Sequence, residues 1–236
     1  MKKIALLGHG VVGSGVMEIL EKNAGTAACQ IGEQVEVKYI LDRREFPGLA
    51  YSDRFTQEFD RIKKDPEVSV VVEALGGVQP AFTWAKESIL AGKSYVTSNK
   101  ELVAAKGDQL LALAAEKRVH FLFEASVGGG IPILGPLRES LTANRITDIA
   151  GILNGTTNYI LTGMFRDGAS FDDALRQAQE LGYAEADPTA DVEGLDACRK
   201  ICILASIAFG SHFHPGEVRT QGITKITGQD VEWARR

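Results

Sequence analysis

Asp196 and Lys200 stand four residues apart in a stretch with helical spacing, and the same stripe continues to Ile203 and Ile207. An ammonium at the edge of an apolar surface gives up its proton more readily than one in water. A carboxylate beside it opposes that change and fixes its orientation. Such a lysine can pass a proton to or from a carbonyl or alcohol oxygen, although an ordinary ion pair on a helix surface has the same spacing. Just upstream, Glu185, Asp187, Asp191, Glu193 and Asp196 put five acids within twelve residues. Before them, the segment 151–161, GILNGTTNYIL, sets Asn154, Gly155, Thr156 and Thr157 at the start of a helix. Asn and Thr there serve as caps, or as hydroxyl and N–H donors suited to a carboxylate substrate.

A second chemistry is written at the other end of the chain. Gly8-His9-Gly10-Val11-Val12-Gly13 follows an apolar strand and opens a helix. Glycines in this order give a tight turn, let the backbone approach a pyrophosphate and let the helix pack closely on the sheet, with the helix N–H groups meeting the negative charge. His9 reads as a tolerated loop residue. The second strand ends in Leu41-Asp42-Arg43-Arg44. An acid there suits the ribose 2′-hydroxyl of NAD and arginines suit the 2′-phosphate of NADP, so the choice stays open, and a solvated charge cluster fits as well. Leu75-Gly76-Gly77 and Thr97-Ser98-Asn99-Lys100 follow two further strands, and Lys100 could reach a nicotinamide or substrate from that edge.

The elements that must carry these groups alternate. Apolar strands at Ile4–Leu7, Val35–Leu41, Val68–Ala74, Ser94–Ser98 and Val119–Glu124 are separated by helical patterns at 16–22, 80–91 and 102–117. Alternation of this kind predicts a parallel sheet with crossover helices, an α/β fold of Rossmann type. After Gly128-Gly129-Gly130 the texture changes. A strand is expected at Ile146–Leu153, with helices at Tyr159–Arg166, at Phe171–Leu181 behind a Ser170 cap, and at Asp191–Phe209. The expected division is a dinucleotide-binding domain at 1–130 and a second, α/β or α+β substrate and dimerisation domain at 131–236.

Composition removes other classes. The 236 residues are 44% hydrophobic and 24% charged with a formal charge of −5, which suits a globular protein and not a nucleic-acid binder. No apolar run is long enough to span a bilayer, and the glycines after MKKIALLGHG come too soon for a signal peptide. Three cysteines without a framework spacing point to a reducing, cytoplasmic setting. Cys198 and Cys202 read as buried packing, and no nucleophile elbow for hydrolysis is present.

Taken together, GHGVVG, EALGG, TSNKELVA, FEASVGGGIPI, GILNGTTNYIL and LGYAEADPTADVEGLDACRK resemble the homoserine dehydrogenase family from residue 1 to about 233. The resemblance implies NAD(P)-dependent interconversion of L-aspartate 4-semialdehyde and L-homoserine, toward threonine, methionine and isoleucine. It places the catalytic lysine on Lys200 with Asp196 beside it, and substrate contacts on Glu185, Gly155, Thr156 and Asp191. Lys100 falls at the cofactor–substrate junction. Gly8, Gly10, Val11, Val12, Gly13, Arg43, Gly76 and Gly182 fall beside NADP or NAD. It further implies a monovalent cation, usually sodium, held mainly by backbone carbonyls of Glu124, Val127, Gly129 and Ile131. A homodimer or higher homo-oligomer is implied too. Members of the family continue past the position of Arg236, so the chain reads as ending inside its substrate domain. A nucleotide-binding fragment without turnover, or another NAD(P) oxidoreductase such as an amino-acid dehydrogenase, are the competing readings.

Overall fold

Six short runs pair into one sheet, the central ones rich in β-branched and apolar residues that can be buried on both faces beneath helices. They are β1 (Lys2–Leu7), β2 (Val35–Leu41), β3 (Phe55–Thr56), β4 (Val68–Glu73), β5 (Ser94–Thr97) and β6 (Phe121–Leu122). The computed structural model describes residues 1–234. All five pairings are parallel, in the order β3-β2-β1-β4-β5-β6. The order reverses between β1 and β4, and in open α/β sheets the crevice at that reversal, beyond the strands' carboxyl ends, is where ligands bind. Leu6, Leu7, Ile40 and Val71 are fully buried at its centre.

Helices α1 (Val11–Lys22), α2 (Ala24–Ile31), α3 (Phe59–Lys64), α4 (Ala81–Leu90) and α5 (Lys100–Lys117) complete a first compact unit, Met1–Ile133. The stretch around 23–34, an insertion between the glycine turn and β2, contains α2, which has no buried residue. The expected strand at 119–124 shrinks to Phe121 and Leu122, because only these oppose Tyr95 and Val96 before Glu124 enters a 3-10 turn.

The second unit starts at Leu134. Its helices are α6 (Gly155–Asp167), α7 (Phe171–Glu180), α8 (Thr189–Val192), α9 (Leu195–Phe209) and α10 (Gly228–Ala234). Ile160 and Met164 of α6 pack with Ala174 and Ala178 of α7 and Val192 of α8. Ser170 caps α7 as expected, accepting from the Asp173 N–H. Two expectations fail here. Residues 146–153 form no strand, since a strand needs a ladder partner and none is present among the described residues. The single helix expected over 191–209 is broken at Gly194, whose φ of +79° no helical residue adopts. A Cβ there would stand 3.1 Å from the Gln221 carbonyl oxygen, so the left-handed backbone and the tight contact with the returning chain both favour glycine. All three cysteines are free, Cys29 exposed and Cys198 and Cys202 buried, and burial pushes the Cys202 thiol up to about 12. No helix among the described residues is long and apolar enough to cross a membrane.

Candidate active site

The glycine turn between β1 and α1 is dictated by space. Gly8 has a φ of +91°, and a Cβ on it would fall 2.9 Å from Leu75 and 3.0 Å from the Ala74 carbonyl oxygen. A Cβ on Gly13 would fall 2.0 Å from the Gly8 carbonyl oxygen, so α1 can approach the turn only with glycine there. Gly10 is the extended N-cap of α1, with open space around it, and Val11 and Val12 are exposed in the first turn. The backbone N–H groups of that first turn have no partner within the helix, which suits a phosphate. A crevice of about 820 Å³ opens beside them, lined by Gly8, Gly10, Asp42, Arg43, Gly76 and Trp84 among others.

One loop of this crevice and the turn after β5 are tied to one buried carboxyl. Glu73, 1% exposed at the end of β4, accepts from Thr97 Oγ1 and from the Leu75 N–H, both at 2.6 Å. Thr97 Oγ1 in turn accepts from the Asn99 N–H at 2.9 Å. The Asn99 amide donates to the Gly77 carbonyl at 2.7 Å, and its Oδ1 caps α5 through the Leu102 N–H. Lys100 is the first residue of α5, so this chain of bonds sets where it emerges. Burial pushes the Glu73 carboxyl above the usual range, against the pull of its hydrogen bonds.

At the end of β2 the charges are paired. Asp42 Oδ1 accepts from Arg44 Nε and the Arg44 N–H, each at 3.0 Å. Asp42 Oδ2 accepts from Arg44 Nη2 at 3.0 Å and from the His9 N–H at 2.8 Å. The Arg44 side chain holds the Asp42 carboxyl well below the usual carboxylate range. His9 is more than a tolerated loop residue. It is buried, its ring packs edge-on against Phe46 and Phe55, and Nε2 lies 3.2 Å from the Tyr51 hydroxyl. Arg43 is exposed, and its carbonyl accepts from Gln57 Nε2.

In the second unit, Asn154 gathers the polar groups. Its Oδ1 accepts from the Thr157 N–H at 2.8 Å, capping α6, while Nδ2 donates to Asp191 Oδ1 at 2.6 Å and Asp196 Oδ2 at 2.9 Å. The cap and the recruitment of carboxylates are thus the two ends of one amide. Lys200 Nζ lies 2.8 Å from Asp196 Oδ2 and donates to the Leu153 carbonyl at 2.9 Å. Asp196 is 2% exposed and Lys200 is 17% exposed. An ammonium has three donors, so one N–H of Lys200 is left for an incoming oxygen. Thr156 is held by its bond to the Tyr183 carbonyl, and Gly155 opens α6. Asp191 joins the cluster, whereas Glu185 is exposed and Gly182 lies in an exposed turn with a φ of +75°.

The carbonyl loop folds tightly. A Cβ on Gly128 would fall 2.3 Å from the Ile131 carbonyl oxygen, Gly129 has a φ of +59°, and Glu124 Oε1 accepts from the Ile133 N–H. Val127 is buried and Ile131 exposed. Backbone carbonyl oxygens are donors a hard cation takes, and this loop brings the Ile131 carbonyl against Gly128. Among the described residues no group of three or more His, Cys, Asp or Glu side chains could hold a metal. Glu73 and Asn99 stand inside EALGG and TSNKELVA, but the sequence assigns neither a role; the ladder between β4 and β5 ties them into one chain of bonds.

Residues 8–124 match the family described as the NAD binding domain of homoserine dehydrogenase, and residues 132–236 match the homoserine dehydrogenase family. A homoserine dehydrogenase of Synechocystis is 45% identical over 99% of the chain. The chain spans about half the length of the curated relatives it matches. The crystal structure of a homoserine dehydrogenase from Thiobacillus denitrificans superposes with a TM-score of 0.93 at 45% identity, covering 99% of this chain and 55% of that one. A protein of Archaeoglobus fulgidus carrying the same enzyme name gives 0.88 at 30% identity, covering 100% of this chain and 77% of that one.

Proposed function

Because the chain belongs to the homoserine dehydrogenase family, we propose that it interconverts L-aspartate 4-semialdehyde and L-homoserine with NADP or NAD, a step toward threonine, methionine and isoleucine. The first unit is the dinucleotide-binding domain and the second binds substrate. Gly8, Gly10 and Gly13 clear the path for a pyrophosphate, the first turn of α1 at Val11 and Val12 meets its charge, and Gly76 leaves the neighbouring loop open. A dinucleotide held there would supply or accept the hydride.

The observation that carries the reading is Lys200, held by Asp196 and the Leu153 carbonyl with one N–H to spare. In aldehyde reduction that N–H, or a water it orients, gives a proton to the developing alkoxide; in homoserine oxidation the same group takes the hydroxyl proton. Lys100 brings a positive charge to the start of α5 in the first unit. Asp191, Asp196 and Glu185 offer carboxylates to the substrate ammonium, and Gly155 and Thr156 shape the pocket at the head of α6. The backbone carbonyls of Glu124, Val127, Gly129 and Ile131 would hold a sodium ion, which supports the loop.

Two further readings belong here. Apolar side chains exposed on the second unit, Ile152, Leu195 and Phe209 among them, support a homodimer or higher homo-oligomer. Free cysteines support a cytoplasmic setting. The test of function is oxidation of L-homoserine followed by absorbance of the reduced cofactor, with NAD and NADP in parallel. Turnover that falls by about a hundredfold or more in Lys200→Ala, with cofactor affinity kept, is expected. Equal turnover in the variant removes Lys200 from the chemistry.

A further inference from the structure

Helix α7 ends in a turn that folds back onto it. Gly182 takes a φ of +75°, and the N–H groups of Tyr183 and Ala184 both donate to the Ala178 carbonyl, at 2.8 and 3.1 Å. Just beyond, Gln179 Nε2 donates to the Glu185 carbonyl at 3.1 Å and to the Ala186 carbonyl at 3.4 Å. A side-chain amide carries two N–H groups, so one glutamine holds both carbonyls. From α6, Thr156 Oγ1 donates to the Tyr183 carbonyl at 2.7 Å, and the Tyr159 and Tyr183 rings meet at 5.0 Å. Asp187 closes the segment by accepting from the N–H and Oγ1 of Thr189, where α8 begins. The segment 183–187 is thus tied to α6, α7 and α8, with Ala184 buried in their core. Glu185 itself is exposed, and its carboxylate has no hydrogen bond or ion pair among the described residues. A fixed backbone under a free carboxylate is preorganised for a cation, since the ordering is complete before the ligand arrives. The place matters too. Thr156 follows closely on Asn154, whose amide gathers Asp191 and Asp196 beside Lys200. The head of α6 therefore holds the Lys200 cluster through Asn154 and the acid-bearing segment through Thr156.

We propose that Gln179 is a positioning residue for substrate recognition, its amide fixing the Glu185 and Ala186 carbonyls so that the Glu185 carboxylate is held ready for the ammonium of an amino-acid substrate. This rests on the reading of Glu185 as a substrate ligand. Gln179 touches no substrate and acts only through the segment it holds. A residue without donors there leaves both carbonyls to water and lets the segment move, and an acid there sets a like charge against the two carbonyl oxygens and beside Glu185.

The test is a double-mutant cycle in the full chain, read as the KM for L-homoserine at saturating dinucleotide. Gln179→Leu keeps much of the side chain and removes both donors. It should raise KM about fivefold, with kcat and dinucleotide affinity within about twofold of the parent. Gln179→Glu should do at least as much, and Glu185→Gln should raise KM further still. In the Glu185→Gln background, Gln179→Leu should change KM by less than about twofold, because the carboxylate it positions is gone. KM unmoved by Gln179→Leu, or moved equally in both backgrounds, makes Gln179 a support of the turn alone and overturns the proposal while the substrate reading stands. If Gln179→Leu fails to fold, Gln179→Glu takes its place in the cycle. Should the chain bind L-homoserine without turning it over, the calorimetric Kd for L-homoserine replaces KM throughout. Glu185→Gln with the parent's KM, or a parent that neither binds nor oxidises L-homoserine, rejects the substrate reading, and the proposal with it.

Discussion

Asn154 spends both ends of one amide, capping α6 with its oxygen and holding Asp191 and Asp196 with its nitrogen. Asn154→Ala should therefore cost more than a lost cap, about 2–3 kcal/mol, because two carboxylates are left short of a donor. Chemical denaturation measures this, and a loss near 1 kcal/mol would mean that the carboxylates find other partners. Asn154→Asp keeps the cap yet adds a third carboxylate to the other two. Glu73 offers a test by pH. Burial raises its pKa in the folded chain, so its contribution to stability is present below the usual carboxylate range and is lost as pH rises through the raised value. Glu73→Gln does not titrate, and its stability relative to the parent should grow as pH rises from the usual carboxylate range through the raised value. A constant difference over that range would show that Glu73 is not displaced from its ordinary value. The Asp196–Lys200 pair is legible from i, i+4 spacing, but the Leu153 carbonyl and the Asn154 amide are not. They meet it across more than forty residues of chain, where periodicity carries no information.

Elements were legible where a hydrophobic period was long, and misread where pairing or a single glycine decided. The β-branched run at 68–73 forms β4 because it has a strand on either side. Residues 146–153 have a similar texture and stay irregular for want of a partner. The pattern of 191–209 continues through Gly194, yet backbone returning at Thr220 and Gln221 demands a left-handed residue there. Gly194→Ala should destabilise the second unit by about 1–3 kcal/mol from the strained φ and the close carbonyl. Thermal unfolding checks it, and an unchanged transition would mean that the returning segment simply shifts. Gly128→Ala belongs at this scale as well. Its Cβ would push the Ile131 carbonyl aside, so any dependence of activity on sodium should vanish while the sheet persists. Activity titrated against sodium in the two proteins tests this, and an unchanged response would separate Ile131 from the ion.

The whole chain divides at Ile133 and Leu134, a few residues beyond the glycine run that the sequence marks as a boundary. With separate cores, a saturating dinucleotide should stabilise the first unit selectively, by about 2.7 kcal/mol at a hundredfold excess over Kd. Calorimetric scans should show one transition moving and one staying, and a single transition that shifts as a whole would mean that the two cores unfold together. The thiols are divided in the same way: Cys29 is exposed in the first unit, and Cys198 and Cys202 are buried in the second. Since the thiolate is the species that reacts, a disulfide reagent should titrate one thiol per native chain, quickly. The other two become titratable only when the second unit opens, so the time course of colour in a cuvette clocks that opening without any label being added.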